Sequence, residues 1–415
     1  MAIWKQEYID EETARRLSGE VGVSLPVARL LLKRGYGELE AARRFLNPQP
    51  VHLRDPFLMA DMDKAVERMG KAISAQEKIF VFADYDVDGV TSITLLVALL
   101  DEVGIEYRVH QPNRLQEGYG LSRAGVDLAL DFGADLLFSL DCGTEAGEAI
   151  EYARSRGLDV VVIDHHKQKG SLPPAYAVIN PSRDDCSYPF KGLAAAGVVF
   201  KFLQAGYSTW KVRLDWERLY QIAALGTVAD VVPLIDENRV LAKVGMYFMG
   251  RKPDSALGAL LRVAGVETGS LNAGHLSFQL APRLNAAGRM GSPELGRRLL
   301  LSKDPSEMKE LAGKLDSLNS RRRSLQADIL EESVAMIEAD PGKYLGNVIV
   351  VAGKGWNKGI VGIVAAKIQE KYYRPTVVIA LEGEKGTGSA RSIPGFDLFS
   401  AISRCASLLS RFGGH

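Results

Sequence analysis

The sequence predicts an α/β protein in which a parallel-sheet domain carries a helical N-terminal layer and is joined by a long connecting helix to a smaller α/β domain. Three observations predict it. Short apolar runs alternate with helix-like stretches from Lys78 onward, a long polar stretch occupies 306–340, and a strand–helix–strand pattern returns after Pro341 and Gly342.

Taken in order, residues from about 10 to 75 place charged and apolar side chains at helical spacing, as in ARLLLKRGYGELEAARRFLNP, with Pro48, Pro50 and Pro56 as punctuation. This is the helical layer, 1–75. Over 76–305 the runs KIFVFADYD, IEYRVHQP, DLLFSLDCG, LDVVVIDHH and AYAVINP have strand length and lie between helix-like stretches, the signature of a parallel sheet. Beyond Asp215 the pattern is again helical. Residues 306–341 lack Pro and Gly between Gly313 and Pro341 and predict one connecting helix. In 342–415, NVIVVAG and PTVVIALEG read as strands around the helix-like GIVGIVAAKIQEKY. That domain stops at Phe412, Gly413, Gly414 and His415 just after a helix-like segment, so it is expected to be incomplete at its C-terminal end.

A length of 415 residues implies two to three domains, and 47% hydrophobic with 25% charged residues is the composition of a soluble globular protein. Lys plus Arg and Asp plus Glu are equal at 51 each, so any nucleic-acid surface must be local. Cys142, Cys186 and Cys405 form no CxxC pair, which argues against a zinc knuckle or a disulfide framework and for a reducing cytoplasm. The N-terminal MAIWKQEYIDEE has no basic-then-apolar signal, and no run reaches the roughly 18 apolar residues of a membrane span.

The predicted strands point to the chemistry. IFVFA runs into Asp84, Asp86 and Asp88, LLFSL into Asp141, and VVVI into Asp164, His165 and His166. Ligands of open parallel sheets bind at the carboxyl ends of the strands, so these groups should converge. Carboxylates brought together raise one another's pKa and need a cation. Singly, each Asp could cap a turn or a helix; as a set at strand ends they point to a site. Hard oxygens with one or two imidazoles suit Mn²⁺ or Mg²⁺, with Zn²⁺, Co²⁺ and Fe²⁺ left open by ligand type. So many acids oversupply one ion, whereas two ions about 3.5–4 Å apart would use them all in hydrolytic phosphoryl transfer. Asp230, in the apolar stretch QIAALGTVADVVPL, is costly to bury unless it is paired or metal-bound, and is the expected last ligand.

The blocks FADYDVDG, DCGT, DHH and GTVADVVPL resemble, in order, the four motifs of the DHH phosphoesterase superfamily. The form DYDVDG, the block APRLNAAGRMG at 281–291 and GSARSIPGFDLF at 388–399 resemble its RecJ exonuclease family in particular. The resemblance implies a DHH domain followed by a DHHA1-type domain, and a 5′ to 3′ exonuclease that releases 5′-mononucleotides from single-stranded DNA in repair and recombination. Asp84, Asp86, Asp88, Asp141, His165 and Asp230 would hold the two ions, Asp141 between them; Asp164 would support the His pair, and His166 would contact the scissile phosphate. Arg283, Asn285 and Arg289 would contact the strand, as would Ser389, Arg391, Gly413, Gly414 and His415 of the second domain. A single-stranded-DNA-binding protein and a helicase are the implied partners, with a monomer favoured and no membrane.

Small-molecule members of the superfamily carry a His where this chain has Phe82, four residues before Asp86. A phosphodiesterase of short oligonucleotides or signalling dinucleotides is the alternative enzyme, and a non-catalytic scaffold the alternative of another class; no ligand position is missing here. After Trp356 the family usually places His, and this chain has Asn357. Cys142 is expected to be a small buried thiol, and Arg321, Arg322 and Arg323 a solvated helix face.

Overall fold

A computed structural model describes residues 9–112, 120–410 and 412–413. It divides into two compact units at Ala281 and Pro282. The expected divide at 305/306 therefore falls late, and the N-terminal helices belong to the same unit as the sheet.

In the first unit, β1 (Ile79–Ala83), β2 (Tyr107–His110), β3 (Leu136–Leu140), β4 (Asp159–Ile163) and β5 (Ala177–Ile179) form one sheet in the order β2-β1-β3-β4-β5. Every pairing is parallel. All residues of β1 and β3 are buried, as expected of strands covered on both faces. Phe80, Phe82, Leu137, Val160 and Val162 pack with Val126, Ala149, Ile150 and Ala153 from helices Arg123–Phe132 and Gly147–Ser155. Helices Val87–Val103, Ala195–Trp210 and Trp216–Ala229 pack against one another and supply the apolar residues that their sequence spacing predicts.

Register positions the site. Ala83 pairs with Leu140, Leu140 with Ile163 and Ile163 with Ile179, so the next residues, Asp84, Asp141, Asp164 and Asn180, stand abreast at the carboxyl edge. Neighbouring strands lie about 4.8 Å apart, which forces the acidic side chains of adjacent strands together.

The N-terminal helices Glu11–Val21, Leu25–Lys33 and Leu39–Leu46 enclose a small core of Leu17, Ala28, Leu31 and Ala42. The chain then reaches the helices near the site through a buried polar knot. Lys201 Nζ lies 3.3 Å from Glu237 Oε1, and both side chains are fully buried. Glu237 also accepts from the Arg54 backbone N–H at 2.9 Å and from Tyr188 Oη at 2.5 Å. Lys201 Nζ donates to the Arg54 carbonyl. Every partner of this buried pair is hydrogen-bonded, as burial of charge requires.

In the second unit, helix Pro305–Ala339 is 35 residues long, starts with Pro at its first position and is capped by Asp304, which accepts from Ser306 N at 2.9 Å. β6 (Ile349–Lys354) and β7 (Thr376–Glu382) pair in parallel, as the strand–helix–strand pattern predicts. β8 (Lys385–Arg391) adds an antiparallel partner that the sequence did not announce, because KGTGSAR is rich in Gly and lacks an apolar alternation. Helix Val361–Tyr372 buries Val364 and Ile368 against Ile349, Val351 and Val378. Arg321 and Arg323 are exposed, but Arg322 departs from a solvated face. It is half-buried and donates to Gln326 Oε1 at 2.9 Å and Asn319 Oδ1 at 2.6 Å.

Candidate metal centre

Six of the predicted side chains and the His pair meet at the carboxyl edge of the first sheet, each placed by a local device. Asp86 begins helix Val87–Val103: its Oδ1 accepts from Asp88 N at 2.9 Å and Gly89 N at 3.1 Å. A Cβ on Gly89 would lie 2.2 Å from the Asp84 carbonyl oxygen, so only glycine lets the helix start this close to the strand end. Within the first turn, Asp88 Oδ2 accepts from Ala195 N at 2.7 Å and Oδ1 from Ala196 N at 2.8 Å. Ala194 offers no side-chain cap to that helix, and the Asp88 carboxylate takes its place. A Cβ on Gly226 would meet Thr91 Oγ1 at 2.3 Å and Ala196 Cβ at 2.5 Å, so Gly226 lets three helices close around Asp88.

Asp141 has φ 57°, a left-handed conformation that Asp tolerates better than most residues, and donates its N–H to Ile163 O at 2.9 Å. Asp230 ends helix Trp216–Ala229. Asp164 has a different role. Its Oδ2 accepts from Thr144 N at 3.0 Å; its Oδ1 accepts from His165 N at 2.7 Å and His166 N at 3.2 Å and lies 2.8 Å from His166 Nδ1. Asn180 extends this scaffold, donating to the His166 carbonyl at 2.8 Å and lying 3.0 Å from Thr144 Oγ1. Thr144 and Asn180 were not singled out in the sequence. Thr144 stands in DCGT three residues after Asp141, and Asn180 follows the last strand abreast of the acids; those positions are the signal that could have found them.

His165 Nε2 is buried and has no hydrogen-bond partner among the described residues. It lies 3.4 Å from Asp141 Oδ1, 3.7 Å from Asp230 Oδ2 and 3.9 Å from Asp88 Oδ2. None of these contacts is a hydrogen bond, whereas ligands of one ion at about 2.1 Å stand roughly 3 Å or more apart, as these atoms do. Three sets of possible ligand atoms each lie within 4.8 Å of one another: Asp84, Asp86 and Asp141; Asp141, His165 and His166; Asp88, His165 and Asp230. Asp141 and His165 each belong to two sets, the pattern expected of adjoining cation positions. The residues present therefore fit a divalent-metal centre.

The electrostatics carry the same mark. Burial and the neighbouring Asp230 carboxylate push Asp88 up to about 7. Burial, then Asp86, raise Asp230 to about 7. Burial and the Asp88, Asp86 and Asp84 carboxylates hold Asp141 well above the usual range. Burial also disfavours the ionised form of Asp164, but its hydrogen bonds from His166 and Thr144 outweigh that and hold it low. His166 loses some basicity to burial and more than regains it from Asp164, rising to about 8.

An acid whose folded pKa is raised binds protons more readily folded than unfolded, so its stability contribution falls as pH rises from the ordinary 3.8 towards 7. His166 acts in the same direction between 6.5 and about 8. Metal-free protein is thus expected to unfold at a lower temperature at pH 8 than at pH 5, and Mn²⁺ at pH 8 should recover the difference. Thermal unfolding in chelator and in excess Mn²⁺ at both pH values checks this.

Cys142 is the buried thiol the sequence predicts, its Sγ 3.4 Å from the Leu140 carbonyl and its pKa raised by burial. In the second unit, Arg283 Nε pairs with Asp316 Oδ1 at 2.9 Å, Arg289 Nη1 donates to the Gly359 carbonyl at 3.1 Å, and Asn285 is half-buried. Arg391 Nη1 lies 3.4 Å from Ser389 Oγ and 2.7 Å from the Ala390 carbonyl. Asn357, standing where the family usually has His, accepts from Gly359 N through Oδ1 at 2.8 Å and closes the turn before helix Val361–Tyr372. Gly413 is exposed, and Gly414 and His415 lie outside the described residues.

A parallel sheet of this order, with acids and a His pair at its carboxyl edge, defines a DHH-type phosphoesterase domain; the sequence model of the DHH family, N-terminal domain, matches residues 78–227, and that of the DHHA1 domain matches 345–415. The similarity extends along the chain. It is 36% identical to the single-stranded-DNA-specific exonuclease RecJ of Dickeya dadantii, over 95% of this chain and 72% of that protein. To RecJ of Bacillus subtilis it is 38% identical, over 99% of this chain and 52% of the relative. The crystal structure of RecJ from Thermus thermophilus in complex with Mn²⁺ superposes with a TM-score of 0.82 at 29% identity, covering 97% of this chain and 57% of the other. The chain belongs to the RecJ family, and it spans about half the length of the Bacillus relative. Among the described residues, no helix is long and apolar enough to cross a membrane.

Proposed function

We propose that this chain is a metal-dependent exonuclease that hydrolyses single-stranded DNA from its 5′ end to 5′-mononucleotides in DNA repair and recombination. The observation that carries the reading is His165 Nε2, buried without a hydrogen bond among three carboxylate oxygens at 3.4, 3.7 and 3.9 Å. Asp84, Asp86, Asp88, Asp141, His165 and Asp230 would hold two Mn²⁺ or Mg²⁺ ions. Bound there, the ions would neutralise the phosphate and lower the pKa of water for in-line attack. The likeness to a relative described as bound to Mn²⁺ supports this choice of metal.

Asp164 orients rather than ligates, since its oxygens are already engaged by Thr144, His165 and His166. With Nδ1 turned to Asp164, the His166 side chain is 36% exposed, against 2% for Asp164 and 13% for His165. It is suited to donate to a non-bridging phosphate oxygen as charge develops there. Arg283, Asn285, Arg289, Ser389 and Arg391 would add contacts to the strand, together with Gly413, Gly414 and His415. The working form would be a monomer in the cytoplasm, where the free thiols Cys142, Cys186 and Cys405 persist, with a single-stranded-DNA-binding protein and a helicase as partners.

Single strands labelled at one end or the other, digested with Mn²⁺, test the reading. The 5′ label should leave at once as a mononucleotide while the 3′ label stays on a shortening strand. First release of the 3′ label would reverse the polarity. A dinucleotide cleaved as fast as a long strand would move the chain to the short-oligonucleotide phosphodiesterases.

A further inference from the structure

The residue after Asp230 is out of keeping with its setting. Val231 has φ 61°, and its side chain is exposed, at 79% of its full accessibility. A β-branched residue in the left-handed region is strained, whereas Gly or Asn would adopt this backbone more easily. The fold returns little for that strain, because an exposed valine buries almost no apolar surface. Strained residues of this kind persist where function uses them.

The surrounding segment has the same character. Residues 231–235 read VVPLI, and Pro233 and Ile235 are exposed as well. The far end is pinned: Asp236 has φ 48° and accepts from Arg54 Nη2 at 2.8 Å, and Glu237 is held in the buried knot with Lys201. The near end is Asp230, whose Oδ2 lies 3.7 Å from His165 Nε2. Consecutive Cα atoms are about 3.8 Å apart, so Val231 stands within one nucleotide's length of the cluster. A fixed apolar ledge has nothing to offer a phosphate, but it suits the face of a sugar or base, which every nucleotide presents whatever its sequence.

We infer that Val231, held in its strained conformation, is a substrate contact that packs against the sugar or base of the nucleotide bearing the scissile phosphate. The inference rests on the exonuclease reading above. It makes Val231 a residue that costs stability and returns strand binding.

Val231→Gly, Val231→Ala and Val231→Leu test it, with oligothymidylate as the strand and bis(p-nitrophenyl) phosphate as a small diester. Val231→Gly relieves the strain and removes the contact. Its thermal midpoint should hold or rise by about 2–4 °C, and its KM for oligothymidylate should rise about tenfold, with the Mn²⁺ bound per chain unchanged. Val231→Ala should raise KM by less, and Val231→Leu should keep KM near that of the wild type. An unchanged KM in Val231→Gly, or a loss of bound Mn²⁺, overturns the inference. Wild-type protein that cleaves the small diester but not oligothymidylate overturns the exonuclease reading, and this inference with it.

Discussion

Asp141→Asn is expected to reduce Mn²⁺-dependent hydrolysis of single-stranded DNA by about a thousandfold or more while leaving the fold intact. Asp141 belongs to two of the three possible ligand sets, so its charge serves both proposed cation positions. Asn keeps the shape of the side chain and tolerates the left-handed backbone at φ 57° as well as Asp does. The substitution therefore isolates the charge. Removing one carboxylate from a crowd that includes Asp84, Asp86 and Asp88 relieves repulsion. The metal-free variant should then unfold at or above the wild-type temperature in chelator. Rates with Mn²⁺ and thermal midpoints without it check the two halves, and a fall in both would mean that Asp141 is structural.

Asp164→Ala should do the opposite to stability. The buried Asp164 carboxylate accepts from the backbone N–H groups of Thr144, His165 and His166 and is bonded to the part-buried His166 ring. Deleting the carboxylate takes this acceptor from three backbone N–H groups and from a cationic imidazole, a loss of about 3–5 kcal/mol. His166 would lose its orientation too, and a support of this kind is worth about 10–100-fold in activity. Because the Asp164 carboxyl is held low, its stabilisation is present above the ordinary carboxylate pKa and fades as pH falls. The gap between wild type and variant should narrow in acid. Denaturant unfolding across pH measures it, and Asp164→Asn, which keeps the shape, serves if the alanine variant does not fold.

Much of this was legible in the sequence because the physics is local. Strands β1, β3 and β4 are apolar runs that stop at an acid, and parallel pairing alone brings those acids into line. The 35-residue helix was legible from its uninterrupted polar pattern. Other features depend on partners distant in sequence. Nothing near Asp88 announces that it caps helix Ala195–Trp210, and Asn180 becomes a support for the His pair only when β5 lies beside β4. β8 was hidden by its glycines and is a strand because β7 offers it an edge. The unit boundary at Ala281 lies near the start of helix Ala281–Arg289, where no Pro/Gly-rich linker marks it. The strain at Val231 is a backbone property that no residue pattern encodes.

The central claim is that the strand-end acids and His165 form a two-cation centre that carries the hydrolysis. Titration of metal-free protein with Mn²⁺ at pH 8, reading bound ions per chain alongside the rate on single-stranded DNA, tests it most directly. Two ions per chain are predicted, with activity appearing as they bind and fewer ions bound by Asp141→Asn. Hydrolysis that persists in chelator, or folded wild-type protein that binds no Mn²⁺ where it cleaves DNA, would contradict it.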